Sequence, residues 1–235
     1  MEKLVPTISN LKKVGRKDHE TEPYARYIIR PVSIYFTWLI VRTPLTANNI
    51  TFLQIIIGCL GSIALAAPHL FCFAPIYGVF LLQLSYVLDC VDGEVARWKK
   101  IVSSRGVYLD LVCHTIVISL YMFCFGYGLW CRGYDFALFL GIGASFCSFK
   151  IDEYAYNKVA NIDNSADDIY SSSLIKLLAF YRFPASMNYI SIAILFDYYM
   201  YGGYGIASYT LLIAIGSVVT LGRIAQIINR FYKLQ

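Results

Sequence analysis

The sequence predicts an all-α integral membrane protein in which six transmembrane helices follow an N-terminal amphipathic juxtamembrane helix. Hydrophobic residues make up 58% of the 235 residues and charged residues only 15%, a balance too apolar for an ordinary soluble domain. At about 20 residues per membrane-spanning helix, the apolar stretches give six spans, near 48–67, 70–90, 107–130, 134–157, 185–201 and 204–229. The chain therefore divides into a cytoplasmic arm with an interfacial helix, residues 1–47, and a six-helix domain, residues 48–235.

The positions of lysine and arginine predict the orientation in the membrane. With the N-terminus in the cytoplasm, nineteen of the twenty basic residues fall in cytoplasmic segments and only Arg132 falls outside them. Cytoplasmic loops of membrane proteins are enriched in these residues. We therefore expect a protein of the cell inner membrane or an endomembrane, and the net charge of +5 requires no nucleic-acid partner.

The segment before the first span predicts an amphipathic helix from Tyr24 to about Trp38. Its apolar stripe consists of Tyr24, Tyr27, Ile28, Pro31 and Tyr35, and its polar face of Arg26, Arg30, Ser33 and Thr37. Such a helix lies on a membrane surface, and Pro31 should kink it. Arg26 and Arg30 are expected to contact lipid phosphates, or alternatively to bind an acceptor substrate.

The first span begins at Thr46-Ala47-Asn48-Asn49-Ile50-Thr51, where Thr46 or Asn48 can cap the helix. Gly58 and Gly61 within this span predict close helix packing. Gly141, Gly143, Ala144 and Ser145 in the fourth span form a small-residue face suited to helix packing or to a dimer contact.

The stretch from Asp89 to His114 places ionisable residues where the chain otherwise reads as membrane helix, which is costly and indicates function. On a helix, Asp89, Asp92, Gly93 and Ala96 fall within about 100° of one another. That face offers two carboxylates beside two positions with almost no side chain, which suits a metal-bound, bulky anion close to the backbone. On the next helix Gly106, Asp110 and His114 recur at i, i+4 and i+8, so two antiparallel helices can bring these groups together around one or two divalent cations.

This stretch resembles the signature of the CDP-alcohol phosphotransferases, also called CDP-alcohol phosphatidyltransferases. The signature reads Asp-x2-Asp-Gly-x2-Ala-Arg-x8-Gly-x3-Asp-x3-Asp. Seven of its eight fixed positions match across 26 residues: Asp89, Asp92, Gly93, Ala96, Arg97, Gly106 and Asp110. The last position departs from the family, because His114 stands where the family has Asp.

The resemblance implies a membrane enzyme that transfers a substituted phosphate from a CDP-linked donor to an alcohol and releases CMP. It implies Asp89, Asp92 and Asp110, joined by His114, as ligands of Mg²⁺ or Mn²⁺, with two ions expected. It assigns catalytic roles to Asp110 and His114. The nucleotide site that it implies consists of Asn48, Thr51, Asp89, Gly93, Ala96, Arg97 and Gly106. The family also implies a homodimer.

The role of His114 divides into alternatives. A neutral imidazole can act as a general base towards the acceptor hydroxyl or as a metal ligand with a preference for Mn²⁺ over Mg²⁺. The change from Asp can also suit a more anionic acceptor or an unusual donor such as a phosphonate-bearing one. A structural residue or a weakened enzyme are the remaining interpretations.

The donor and the acceptor stay open at this stage. The donor is CDP-diacylglycerol with a small polar acceptor, or a CDP-headgroup with a lipid or polyol-phosphate acceptor. Arg105 and Lys150 are candidate residues for binding the acceptor. An ion transporter using the same acids and a catalytically inactive relative are the competing functions, although the fifth and sixth spans are almost bare of charge.

Overall fold

The structure is a computed structural model that describes residues 6–15, 23–68, 71–101, 103–148 and 184–233. Within these ranges the regular elements are all helical. The α-helices are α1 (Ile8–Gly15), α2 (Arg30–Ile40), α3 (Ala47–Leu65), α4 (Ala74–Lys99), α5 (Ser104–Trp130), α6 (Ala137–Cys147), α7 (Ala185–Tyr201) and α8 (Ile206–Lys233). Residue contacts divide the chain into two compact units, Met1–Gly61 with Phe80–Val117 and Ser62–Val79 with Ile118–Gln235.

Four of the helices, α3, α4, α5 and the part of α8 at Ile206–Asn229, are long and apolar enough to cross a membrane. They correspond to four of the six predicted spans. In the described residues α6 is apolar but only 11 residues long, and α7 has 17 residues. Residues 149–183, which include Lys150 and the end of the predicted fourth span, lie outside the described part of the chain.

The helices that carry the signature extend beyond the membrane spans predicted from the apolar stretches. The apolar stretch ends near residue 90, but α4 continues to Lys99, and α5 begins at Ser104 rather than near residue 107. Four residues therefore separate the two helices. The end of α4 is capped by the Ile101 N–H, which donates to the Ala96 carbonyl at 3.0 Å, and Lys100 adopts a left-handed φ of 55°. Ser103 then accepts a hydrogen bond from the Gly106 N–H at 3.1 Å, which caps α5.

The predicted amphipathic helix forms, but it is turned differently from the sequence-based expectation. A π-helical turn at Ala25–Ile29 precedes α2, whose second residue is Pro31. Proline has no N–H to donate. The change from π-helical to α-helical hydrogen bonding accordingly falls beside Pro31, the residue predicted to kink the helix. The polar residues Ser33 and Thr37 are fully buried, whereas Tyr27 and Tyr35 are exposed.

Tight packing positions α3 in the first unit. A Cβ atom at Gly58 would lie 2.8 Å from Val117 Cγ2 of α5 and 2.9 Å from Ser85 Oγ of α4. The close packing predicted for Gly58 is thus present. Ser85 Oγ also donates to the Gln54 carbonyl at 3.1 Å, and Lys99 Nζ donates to the backbone carbonyl of Leu45 at 2.6 Å, just before α3 begins.

The second unit is held by close backbone contacts and by one buried carboxylate. Gly141, predicted as a packing residue, lies against Gly126, where an added Cβ would meet the Gly141 Cα at 2.7 Å. Asp197 is fully buried and accepts hydrogen bonds from backbone N–H groups at the start of α8. These come from Gly205 at 3.0 Å, Ala207 at 3.2 Å and Ser208 at 2.7 Å. The carboxylate thereby satisfies donors that a helix N-terminus leaves unpaired.

Candidate metal and nucleotide site

Acidic side chains of α4 and α5 meet around one imidazole. His114 Nε2 lies 3.1 Å from Asp89 Oδ1 and 3.4 Å from Asp110 Oδ1. Each of the three residues offers one ligand atom, and these atoms lie within 4.8 Å of one another. All three side chains are partly exposed, at 20% for Asp89, 23% for His114 and 46% for Asp110. The group is therefore accessible to an ion from outside.

Asp92 belongs to the same wall but faces a different partner. Its Oδ2 accepts a hydrogen bond of 2.6 Å from Thr51 Oγ1, and both residues are buried. The sequence grouped Asp92 with the other carboxylates as a metal ligand. In the described residues the atoms within mutual reach are those of Asp89, Asp110 and His114, with Asp92 adjacent and held by Thr51.

The first span supplies hydrogen bonds to both aspartates of α4. Gln54 Nε2 donates to Asp89 Oδ1 at 3.1 Å, one helical turn from the contact between Thr51 and Asp92. Gln54 is 4% exposed, so its amide lies in the interior of the first unit. Such hydrogen bonds orient carboxylates for metal binding. Sequence analysis missed Gln54, although its signal was present as a polar residue three positions after Thr51 in an apolar helix.

A cavity of about 280 Å³ opens beside these groups. Its wall includes ten residues predicted from the sequence: Asn48, Thr51, Asp89, Asp92, Gly93, Ala96, Arg97, Gly106, Asp110 and His114. It also includes Arg30, for which the sequence left an acceptor-binding role open, and five residues that the prediction did not place there: Ala47, Cys90, Ile101, Ser103 and Val107. Arg105 is exposed and is not part of this wall.

The two glycines of the signature make room for polar groups at the wall. A Cβ atom at Gly93 would lie 3.1 Å from Arg97 Nη1, so the guanidinium lies across the glycine. A Cβ atom at Gly106 would lie 3.4 Å from Asn48 Oδ1. Asn48 therefore faces the cavity, while Thr46 caps α3 by accepting a hydrogen bond from the Asn49 N–H at 3.4 Å.

The cavity wall includes both acidic and basic residues. Asp89 and Asp110 line it together with Arg30 and Arg97. Two carboxylates and one imidazole fit a divalent cation, because carboxylates suit Mg²⁺ and Mn²⁺ and the nitrogen suits the transition metal better. Guanidinium groups bind phosphate oxygens. The arrangement can therefore hold a cation together with a phosphorylated molecule.

Comparison with known proteins identifies the family. The family model described as CDP-alcohol phosphatidyltransferase matches residues 44–196. The match begins just before α3 and continues into α7, and it includes the whole signature on α4 and α5. A search of curated proteins gave no match.

Proposed function

The chain belongs to the CDP-alcohol phosphatidyltransferase family, and on that premise we propose that it transfers a substituted phosphate from a CDP-linked donor to an alcohol acceptor and releases CMP. The observation that carries the proposal is the meeting of Asp89, Asp110 and His114 within 4.8 Å at the wall of a cavity. Intramembrane acids are costly to maintain. A site that holds cations beside a phosphorylated substrate accounts for their presence on two apolar helices.

The proposed reaction requires that negative charge on the donor be balanced. Bound divalent cations, one or two Mg²⁺ or Mn²⁺ ions, would offset the charge that builds on the phosphoryl and leaving oxygens. Asp89, Asp110 and His114 would hold them, with Asp92 beside them. Arg97 would bind phosphate oxygens, and the bare backbone at Gly93 leaves space for a large anion against α4.

His114 has a position that fits either of two roles. Its Nε2 faces the oxygens of Asp89 and Asp110, where a cation would be bound, and this favours a ligand role. An imidazole there can instead take the proton of the acceptor hydroxyl. Substitution by Asp restores the family's residue and separates the roles. A ligand role predicts retained turnover with preference moved from Mn²⁺ towards Mg²⁺, and a dedicated base predicts loss of turnover with both ions.

We extend the proposal to the arrangement in the membrane. Together with the four long apolar helices, α6 and α7 would complete six spans, with residues 1–47 as a cytoplasmic arm and interfacial helix and residues 48–235 as the transferase domain. The distribution of basic residues supports a cytoplasmic N-terminus and a cavity on the cytoplasmic side, where nucleotide donors are found. Family membership supports a homodimer.

The proposed function is tested with purified full-length protein in lipid nanodiscs. CMP release is measured with CDP-diacylglycerol and with CDP-headgroup donors, each with Mg²⁺, with Mn²⁺ and after chelation. We expect metal-dependent CMP release with at least one donor, which Asp89→Asn abolishes. Asp135→Asn, which removes an exposed carboxylate outside the cavity, is the control and should behave as wild type.

Two results would refute this function. CMP release that persists in Asp89→Asn would show that the acids of α4 are not its basis. Ion flux into sealed vesicles reconstituted with the protein, without CMP release from any donor, would instead indicate a transporter.

A further inference from the structure

An arginine from outside the signature lines the cavity. Arg30 belongs to α2, in the segment that precedes the first long apolar helix and the region matched by the family model. Its side chain is 18% exposed, and it forms part of the cavity wall. Arg26, one turn earlier on the same segment, is exposed and lies outside that wall. The two arginines therefore differ both in exposure and in contact with the cavity.

Glu94 holds Arg30 in its position through a buried ion pair. Its side chain is 3% exposed, and its Oε1 lies 3.0 Å from Arg30 Nη1. Oε1 also accepts a hydrogen bond of 2.8 Å from Ser33 Oγ, and Oε2 accepts one of 2.6 Å from Thr37 Oγ1. Burying a carboxylate is costly unless it is paired and hydrogen-bonded. Here both of its oxygens are satisfied by α2.

The three partners of Glu94 recur at i, i+3 and i+7, which places them on one face of α2. A single carboxylate on α4 therefore fixes both the rotation and the axial position of α2. Glu94 directly follows Gly93, whose backbone adjoins the cavity. The ion pair thus holds the Arg30 guanidinium beside the signature residues.

A guanidinium fixed in this way is suited to phosphate. Arginine recognises phosphate oxygens through a planar fork of N–H donors, and a side chain already held by a carboxylate loses less rotamer entropy when it binds. The opposite charges of Asp89 and Asp110 require cations before an anion can approach. Arg30 contributes its N–H donors from α2, whereas the acids lie on α4 and α5.

We propose that Arg30 is a phosphate-binding residue of this cavity and that Glu94 is the positioning residue that holds it there. The ligand group is a phosphoryl oxygen, contributed either by the diphosphate of a nucleotide donor or by a phosphorylated small alcohol. The inference rests on the proposed function only for the identity of these ligands. Binding measurements test it separately from turnover.

Two probes represent the two sources, and both are used with full-length protein in nanodiscs containing Mn²⁺. CDP represents the donor, and sn-glycerol 3-phosphate, with uncharged glycerol as its counterpart, represents a phosphorylated acceptor. Dissociation constants are measured for wild type, Arg30→Gln, Arg30→Lys and Glu94→Gln. Arg26→Gln is the matched control, because it removes the same charge from the same segment outside the cavity.

We expect Arg30→Gln and Glu94→Gln to weaken binding of the same probe by about tenfold or more, the loss typical of a charged hydrogen bond. Arg30→Lys should recover part of the affinity, and Arg26→Gln should bind as wild type. Loss confined to CDP assigns Arg30 to the donor diphosphate, and loss confined to glycerol phosphate assigns it to the acceptor. Affinity for glycerol should not change.

The double variant Arg30→Gln with Glu94→Gln replaces the ion pair by two amides, and it serves if a single variant does not fold. Its affinity should match that of Arg30→Gln, because the two residues act through one group. Unchanged dissociation constants for both probes in folded Arg30→Gln or in the double variant overturn the proposal, as does failure of wild type to bind either probe. A Glu94→Gln protein that melts earlier but binds both probes normally overturns the positioning role.

The two proposals fail separately. Wild type that binds CDP in an Arg30-dependent manner but releases no CMP from any donor refutes the proposed function and leaves this inference standing. Wild type that releases CMP while Arg30→Gln binds both probes normally refutes this inference alone.

Discussion

Replacing Gln54 by methionine should weaken metal binding with little effect on folding. Gln54 Nε2 donates to Asp89 Oδ1 at 3.1 Å, while Gln54 Oε1 is buried and accepts no hydrogen bond from the described residues. Methionine has a similar length and shape but neither polar atom. The substitution therefore removes the favourable hydrogen bond to Asp89 and, with it, the unfavourable burial of Gln54 Oε1.

The two effects on stability nearly cancel. A hydrogen bond to a charged group contributes about 1.5–3 kcal/mol, and an unpaired buried polar atom costs about 1–3 kcal/mol. Gln54 is 4% exposed, so neither figure is reduced much by solvent. The net change should stay within about 1 kcal/mol, which for a chain of this size shifts Tm by roughly 2–4 °C.

Metal affinity has no such compensation. Asp89 loses a group that fixes its carboxylate, and loss of an outer hydrogen-bond partner typically lowers metal affinity about ten- to hundredfold. The assay is CMP release as a function of Mn²⁺ at saturating donor, combined with thermal unfolding in the absence of metal. We expect the half-saturating Mn²⁺ concentration to rise at least about tenfold, with maximal turnover largely retained at high Mn²⁺.

Gln226→Met, on α8 in the other unit, is the matched control and should leave the Mn²⁺ dependence unchanged. The reasoning would be refuted by an unaltered half-saturating concentration in Gln54→Met. A fall in Tm well beyond the expected range of about 2–4 °C would also refute it. Removal of the unpaired Gln54 Oε1 would then not have offset the lost hydrogen bond.

Three further substitutions test the packing and the turns. Lys100→Gly should raise the free energy of unfolding by about 0.5–1 kcal/mol, since φ at this position is 55° and glycine adopts it without strain; denaturation of the purified protein measures it, and a loss of stability would contradict it. Gly128→Ala should cost about 1–3 kcal/mol, because the new Cβ would overlap the backbone carbonyl of Leu65, and an unchanged Tm would argue against that contact. Asp197→Ala should lower the free energy of unfolding by about 2 kcal/mol or more, because the N–H groups at the start of α8 lose their acceptor. The KM of both substrates should not change, and a raised KM with normal Tm would contradict a purely structural role.

Local signals predicted the helices that have clear punctuation. The bounds of α7 agree with the predicted 185–201, because Pro184 precedes the helix and Gly202 ends it with a left-handed φ of 67°. The predicted spans at 70–90 and 107–130 stop short of the ends of α4 and α5 that carry the signature, because spans are drawn from apolar residues, whereas the helical interpretation of the polar signature residues agrees with the structure. Those residues are held in the helix by partners from elsewhere in the chain.

Spacing along the chain likewise predicted that Asp89, Asp110 and His114 would come together, because Asp110 and His114 share a face of one helix and the preceding antiparallel helix carries Asp89. It did not predict the partners that orient them. Gln54 lies 35 positions before Asp89, and Arg30 lies 64 before Glu94. Contacts of that separation depend on how α2 and α3 pack, which periodicity within one helix does not encode.

The inverted polarity of α2 has a practical consequence. Deleting an interfacial helix usually removes only a membrane attachment, because its apolar side faces lipid and its polar side faces water. Tyr27 of the π-helical turn and Tyr35 of α2 are exposed, whereas the hydroxyl groups of Ser33 and Thr37 contact Glu94 of α4. Shortening the chain from its N-terminus past residue 37 would leave Glu94 without any of its three partners, so expression vectors for this protein should place affinity tags ahead of the intact N-terminal segment.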